Sequence, residues 1–334
     1  ENRFKREMGT SPNNIIQLKT DLTKKKGDSV TYALVNKLTG AGVTGSNTLE
    51  GNEEAMDSRD HKVTVDKIRN AVRVAEVDEQ FSSLSLRDAG REVLKDWIME
   101  KCRDDIISAL GSVTTATTPV AYGSASEAQK DAFLVDNTDR ILFGDGSVGS
   151  GTDHSADLAL VTASMTLGAA EVSRMRRMAL AASPKIRPIR TTEDERWFVL
   201  YTDTRCFRDL KADTTISQAN REAWQRGRDN PIFSGGDLLY DGVIIKEIPD
   251  IATLGTVGAS SAPVSPAYMC GAQAVGLAWA KRSTSKTEEF DYGDKVGVAI
   301  EEIRGIEKLG FMTDSSTVKK QHGVVTGYFG AAAD

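Results

Sequence analysis

Gly40-Ala41-Gly42-Val43-Thr44-Gly45 has the G-x-G-x-x-G spacing that lets a backbone turn approach a pyrophosphate, and Asp60 stands about where an acid would hold a ribose. That chemistry also needs a helix to open inside the motif, so that its amide dipoles meet the phosphates. Polar residues and a second strand pattern follow instead. Gly144-Asp145-Gly146-Ser147-Val148-Gly149 fits the same expression, and in a chain with 29 glycines two such matches mark glycine-rich loops rather than a cofactor site. The three histidines, His61, His154 and His322, are isolated, so neither H-E-x-x-H nor a compact zinc set forms locally. No G-x-S-x-G elbow and no phosphate-binding G-x-x-x-x-G-K-[ST] loop occurs. The acidic pairs Glu53-Glu54, Glu288-Glu289 and Glu301-Glu302 read as solvated surface. The expectation is no catalytic residue, no cofactor and no metal.

The densest basic group is Arg174, Arg176 and Arg177 with Lys185, Arg187 and Arg190. Phosphate contact is conceivable, but the plainer reading is a solvated or subunit-facing helix side, because no aromatic residues interleave to stack bases. Trp97, Trp197, Trp224 and Trp279 sit in apolar patterns and read as core anchors.

A net charge of −6 argues against a protein whose main task is to wrap nucleic acid, and 40% apolar with 27% charged residues describes a globular chain. Cys102, Cys206 and Cys270 form no C-x-x-C pair and read as reduced and intracellular. No apolar run approaches the roughly 18 to 20 residues that span a bilayer, so no membrane role is expected. The chain starts at Glu1 rather than Met, which leaves processing upstream open.

The elements that must position these residues follow from periodicity. Residues 1–28, with Lys24-Lys25-Lys26, read as an extended arm. Ser29 to Val35 and Val63 to Val77 alternate as two strands of one hairpin, joined by a long projecting loop that contains Thr39 to Gly51. A helix over 85–110 carries Leu86, Ala89, Val93, Leu94, Trp97, Ile98, Cys102, Ile106, Ala109 and Leu110 on one stripe. Ser85 with Asp88 reads as a capping box, and Gly111 as the left-handed residue that ends the helix. Residues 111–155 read as loops around a short strand at Arg140 to Phe143, and Ala156 to Ala182 as one further helix. Strands are expected at Arg196 to Tyr201, Val243 to Ile248 and Lys295 to Ile306, a helical turn around Trp224 within Asn220 to Arg228, and a linker at Ser260 to Pro266. Tyr268 to Ala280 is small and apolar, and no internal repeat is visible.

This order of arm, glycine-tipped hairpin and long helix resembles the major capsid protein fold of tailed phages. Leu38-Thr39-Gly40-Ala41-Gly42-Val43-Thr44-Gly45 and Thr48-Leu49-Glu50-Gly51-Asn52-Glu53-Glu54-Ala55 are similar to the hairpin tip of a podovirus-type branch. So are Ser183-Pro184-Lys185-Ile186-Arg187-Pro188-Ile189-Arg190, Phe207-Arg208-Asp209-Leu210, and Asn230-Pro231-Ile232-Phe233-Ser234-Gly235. Cys270-Gly271-Ala272-Gln273-Ala274, Phe290-Asp291-Tyr292-Gly293 and Gly297-Val298-Ala299-Ile300 complete a resemblance over most of residues 27–312.

The resemblance implies an α+β, HK97-like major capsid fold. Its parts would be an N-terminal arm at 1–28, an extended hairpin at 29–78, a peripheral domain with a spine helix at 79–155, an axial domain at 156–280, and a return to the peripheral domain with a C-terminal tail at 281–334. It implies a non-enzyme that assembles as hexamers and pentamers into an icosahedral head around double-stranded DNA. Thr39, Gly40, Gly42, Val43, Gly45, Leu49, Glu50 and Gly51 would form the tip that lies over a neighbouring subunit. Portal protein, and scaffold or decoration proteins, would be further partners, with assembly in the host bacterial cytoplasm and residence in the virion. No lysine and asparagine pair is marked for a covalent crosslink. An encapsulin-like compartment, a nucleotide-dependent enzyme using Gly40 to Gly45, and a tail or neck component are the alternatives.

Overall fold

The computed structural model describes residues 4–20, 22, 27–35, 42–45, 48–50, 53, 58–114, 119–190, 195–218, 238–312 and 318–333. The elements in chain order are β1 (Met8–Gly9), β2 (Ile16–Lys19), β3 (Ser29–Val35), β4 (Ser58–Thr64), β5 (Asp66–Ala75), α1 (Glu76–Phe81), α2 (Leu86–Gly111), α3 (Glu127–Asp136), β6 (Ile141–Phe143), α4 (His154–Ala159) and α5 (Ala169–Ala181). Then come β7 (Ile189–Arg190), β8 (Arg196–Thr202), α6 (Thr204–Ala212), β9 (Leu238–Tyr240), β10 (Val243–Glu247), β11 (Val264–Cys270), β12 (Val275–Phe290), β13 (Lys295–Lys308), β14 (Gly310–Met312), β15 (Lys319–Gln321) and β16 (Val324–Gly330).

Two sheets organise these elements. One runs β1-β2-β12-β13-β5, and the other β6-β16-β11-β8-β10-β9 with β7 on β8. β12 and β13 form a long antiparallel pair turned at Asp291–Gly293, and β5 lies antiparallel on the outer side of β13. One face of this three-stranded arm is apolar: Val298 and Ile300 pack on Leu94 and Ile98 of α2, with Ile68 and Val72 beside them. Further along α2, Cys102, Ile106 and Leu110 enter a second cluster with Tyr268, Cys270 and Val275. The helix therefore ties the arm to the larger sheet. The seven-stranded sheet packs Leu200, Ile245, Met269 and Val325 against Val172, Met175 and Ala179 of α5.

The α2 stripe lies where the periodicity puts it, through Leu94, Ile98, Cys102, Ile106 and Leu110, whereas Val93 points to solvent. Both expected caps differ. The Ser85 hydroxyl donates to Asp88 Oδ2 at 3.2 Å instead of capping a backbone amide. Gly111 is the last helical residue, and a Cβ there would sit 2.8 Å from Tyr268 Oη, so the glycine admits a tyrosine rather than a left-handed turn.

Several other expectations are corrected. Ser29–Val35 does form a hairpin, but with Ser58–Thr64, and the expected single strand 63–77 breaks at Val65 so that β5 joins β13 instead. The arm is bound to the body over its described part: β2 pairs in parallel with β12, and Phe4, Ile15 and Ile16 are buried. Too few apolar residues mark that docking for a periodicity to register. Residues 111–155 contain α3 besides the short strand, and in place of the expected helix 156–182 there are two, α4 and α5, separated by Leu160 to Gly168. The expected linker 260–266 runs into β11, with Pro266 paired opposite Tyr328 where the β8 side of β11 carries no ladder. β16 is no tail; its apolar Val-Val-Thr-Gly-Tyr-Phe-Gly run lies between β6 and β11 in the larger sheet. Trp97 and Trp279 border the core rather than fill it, and Trp197 donates Nε1–H to Glu195. Asn220 to Arg228, Trp224 and Lys24 to Lys26 lie outside the described residues. The three cysteines are buried and stand outside any disulfide.

Candidate functional site

Of the expected hairpin tip, Thr39, Gly40 and Gly51 lie outside the described residues. Gly42, Val43, Gly45, Leu49 and Glu50 are described, and no helix begins among residues 42–45, so the element a dinucleotide site requires is missing there. Gly42 and Gly45 have φ of +71° and +72°, a backbone that glycine adopts without strain. Leu49 is 61% exposed, an apolar side chain left without cover in the single chain.

The hairpin that carries this tip is seated at its base. Val30, Tyr32 and Val63 pack on Ala278, Leu309 and Phe311. Gly305 of β13 receives the Thr64 carbonyl, and a Cβ there would be 1.9 Å from that oxygen. His61 is buried, with Nδ1 2.9 Å from Gly310 O and Nε2 3.2 Å from Glu307 Oε2. Glu307 also accepts the Thr64 amide at 3.1 Å and the Thr64 hydroxyl at 3.0 Å. Burial pushes the Glu307 carboxyl up, but these donors outweigh it and hold the group below its ordinary range. Arg59 donates to Met312 O at the end nearer the tip.

Two of the six residues of the basic cluster have side chains against neighbouring elements. Arg176 pairs with Asp241 at 2.9 Å, and Arg174 lies against the turn at Gly146. Arg177, Lys185, Arg187 and Arg190 are exposed. The backbone of Arg187 accepts from Ala272 N, and that of Arg190 donates to Asn13 Oδ1.

A second basic surface had no counterpart in the sequence reading. Strand pairing places Lys67, Arg69 and Arg73 of β5 beside Lys281 and Lys286 of β12, on the arm face opposite α2. Three of these lysines converge on Glu301: Lys67 at 2.9 Å, Lys281 at 2.6 Å and Lys286 at 2.7 Å. Hydrogen bonds from Lys281, Lys286 and Lys67 hold the Glu301 carboxyl far below the ordinary carboxylate range. The far end of the arm is apolar and open, with Phe81 84% exposed, and Leu84, Phe290 and Tyr292 also exposed. α1 abuts that end through Glu76 N, which donates to Asp294 O at 2.8 Å.

Among the described residues one group, Glu127, Asp131 and Asp153, brings carboxylates close enough to share a cation. Two of its members already serve the backbone: Asp131 accepts from His154 N at 2.8 Å, and Asp153 caps α4 by accepting from Ala156 N at 2.9 Å. His154 lies between Phe143, Tyr122 and Tyr328, and His322 against Phe311, each among aromatic rings. Burial lowers His322 to about 4. Among the described residues neither histidine forms an ion pair with a carboxylate, and both sit in packing contact with aromatic side chains.

The sequence matches the Phage capsid protein family over residues 1–331. The chain belongs to that family. The capsid protein is 30% identical over 341 residues to the major capsid protein of Pseudomonas phage KPP25, covering 97% of this chain and 89% of the relative. The capsid asymmetric unit of cyanophage Pam1 is 40% identical, with 99% of this chain and 93% of that one covered and a TM-score of 0.89. The capsid of Ralstonia phage GP4 shares the fold at 24% identity and a TM-score of 0.80, covering 100% and 92% of the two chains. The capsid protein therefore has the expected α+β, HK97-like architecture.

Proposed function

We propose that this chain is a major capsid protein whose copies assemble as hexamers and pentamers into the icosahedral head of a tailed phage around double-stranded DNA. The observation that carries the reading is whole-length similarity, at 40% identity, to a subunit of an assembled phage capsid. The exposed Phe81, Leu84, Phe290 and Tyr292 at the end of the arm fit the same reading, because large apolar side chains gathered at a surface are covered when subunits meet. The tip formed by Thr39, Gly40, Gly42, Val43, Gly45, Leu49, Glu50 and Gly51 is read as the part of each subunit that lies over a neighbour. Portal protein, and scaffold or decoration proteins, complete the partner set. Arg177, Lys185, Arg187 and Arg190 offer at most weak, salt-sensitive contact with packaged DNA. Assembly takes place in the host cytoplasm. The chain acts through its surfaces rather than through catalysis, and no isopeptide link joins its copies. The curated relative and the structural relatives quoted are phage capsids, which disfavours an encapsulin-like compartment.

Sedimentation velocity and negative-stain electron microscopy of the purified chain, with and without its scaffold, test this reading. Closed polyhedral shells or rings of five and six subunits are expected. A chain that stays monomeric in both conditions at high concentration refutes it.

A further inference from the structure

Arg140 ends the short turn Thr138–Arg140 between α3 and β6, and its side chain is fully buried. Nη2 donates to Pro184 O at 2.5 Å, and Nη1 lies 3.6 Å from Asp139 Oδ1. Neither Nε nor Nη1 makes a hydrogen bond among the described residues. Burial opposes the guanidinium charge and pulls it below its ordinary range, with Asp139 pulling the other way. Two buried side chains of the neighbouring segment share this condition. Gln321 N donates to Asn137 Oδ1 at 2.9 Å, yet neither atom of the Gln321 carboxamide has a partner. His322 Nε2 has none either. Buried donors are nearly always bonded, so three such groups side by side call for a ligand.

Gln321 and His322 line a small cavity of about 40 Å³, whose other walls include Arg59 of the hairpin, Phe311 of β14, Pro184 and Lys320. At about 10 to 15 Å³ for each water-sized group, that space takes about three of them, the size of a small oxyanion. Charge around the cavity is lopsided. Arg140 and Arg187 both act on His322, and Arg59 and Lys320 stand in the wall. Against these four cations are two carboxylates, Asp139 and Asp136. Asp139 is already committed: Oδ2 accepts from Ser183 N at 2.9 Å, and Oδ1 lies 3.3 Å from Lys320 Nζ. Burial pushes the Asp136 carboxyl up, toward its neutral form. A water can bridge open donors but leaves the excess positive charge unanswered, whereas an anion meets both needs with charge-assisted hydrogen bonds. The carboxamide oxygen of Gln321 suits an anion that also carries a hydroxyl, as phosphate does near neutral pH.

We propose that this cavity binds a small free oxyanion of the phosphate class, held by Arg140, Gln321, His322 and Lys320. The proposal stands independently of the shell reading. Because Arg59 of the hairpin faces Pro184 and Lys320 across the cavity, a bound anion ties the hairpin base to the segment that leads into β6.

The test is titration of the full-length chain with inorganic phosphate in Tris chloride at constant ionic strength. Thermal melting is expected to rise along a saturating curve, by about 3 to 6 °C at a hundredfold excess over the dissociation constant. Gln321→Met removes only groups that have no partner, so the variant should melt at or above the parent without phosphate. Its phosphate affinity should fall at least about tenfold, the worth of one hydrogen bond to a charged group. Arg177→Ala, on the exposed side of α5, should leave the affinity unchanged. In the parent, the NMR signals of the His322 ring should move along the same saturation curve while those of His154 stay, a readout that needs no variant. A phosphate response that never saturates, or one that Gln321→Met leaves intact, reduces the effect to general salting and overturns the proposal. So does a His322 ring that does not respond. Acetate binding more tightly than phosphate overturns the assignment as well, since the occupant would then be a carboxylate from another chain.

Discussion

Lys308 offers a quantitative check on how the long helix is tied to the arm. Its side chain is buried, its Nζ donates to the carbonyl of Leu110 at the end of α2 at 3.1 Å, and it lies 4.9 Å from the Phe133 ring. Burial drives the ammonium down from 10.5 to about 7, against a smaller opposite pull from Cys270. Between those values the unfolded chain carries a proton that the folded chain lacks. Stability conferred relative to a variant without the amine must therefore rise as pH increases through that window. At about 1.4 kcal/mol per pH unit, the interval from 7 to 10.5 is worth roughly 4 to 5 kcal/mol, taken as an upper bound. Lys308→Met removes that penalty but leaves the Leu110 carbonyl unpaired, a cost of about 1 to 3 kcal/mol. At pH 7 the variant is expected to be about 1 to 3 kcal/mol more stable than the parent, and by pH 9.5 the parent should have regained roughly 3 kcal/mol relative to it. Urea unfolding of the free subunit at both pH values reads this difference, with ionisations common to both chains cancelling. A variant that is less stable at pH 7, or a difference that does not change with pH, refutes a largely neutral buried amine at this position.

Three further outcomes follow from the packing. Gly90→Ala should stabilise the free subunit by about 0.5 to 1 kcal/mol, because the new Cβ meets only Val72 at 3.6 Å; Gly111→Ala, in the same helix, should destabilise by about 1 to 3 kcal/mol against Tyr268. Thermal melts of the two variants that move in the same direction would contradict this. Leu94→Ala should cost about 2 to 5 kcal/mol by opening a cavity between α2 and β13, read by urea unfolding, and should lower assembly yield. Glu307→Gln should speed hydrogen exchange at the Thr64 amide, and parent stability should fall with acid as the depressed Glu307 carboxyl protonates below its ordinary range; unchanged Thr64 exchange would count against the hairpin anchor.

The long helix was legible because Leu94, Ile98, Cys102, Ile106 and Leu110 recur at helical spacing, β3 and β13 because β-branched residues alternate with others in them, and β8 and β10 as short apolar runs. What escaped was mostly tertiary. β2 is a strand only because β12 offers an edge to it, and β16 joins a sheet whose other members end more than fifty residues earlier. α3 did have a local signal, the Ser126–Gln129 capping box, set in a segment otherwise dominated by Thr, Ser and Gly. Gly111 was read correctly as special and wrongly as to why, since only the fold brings Tyr268 to it. The basic cluster at 174–190 is conspicuous in sequence, but the pairing of Arg176 with Asp241 across the fold is not. The basic face of the arm is the reverse case: Lys67, Arg69 and Arg73 are more than 200 residues from Lys281 and Lys286, and only strand register gathers them. The resemblance to tailed-phage capsid proteins carried the function, because surfaces made for assembly leave no compact motif of the kind that marks an active site.

The central claim is that this chain is a shell subunit, and a cryo-electron microscopy reconstruction of particles containing it tests that most directly. The account predicts an icosahedral shell of pentamers and hexamers of this chain, with α2 and the β12–β13 arm recognisable in each subunit and residues 36–57 against a neighbour. Particles in which this chain is a minor component, or an open assembly without fivefold closure, would contradict it.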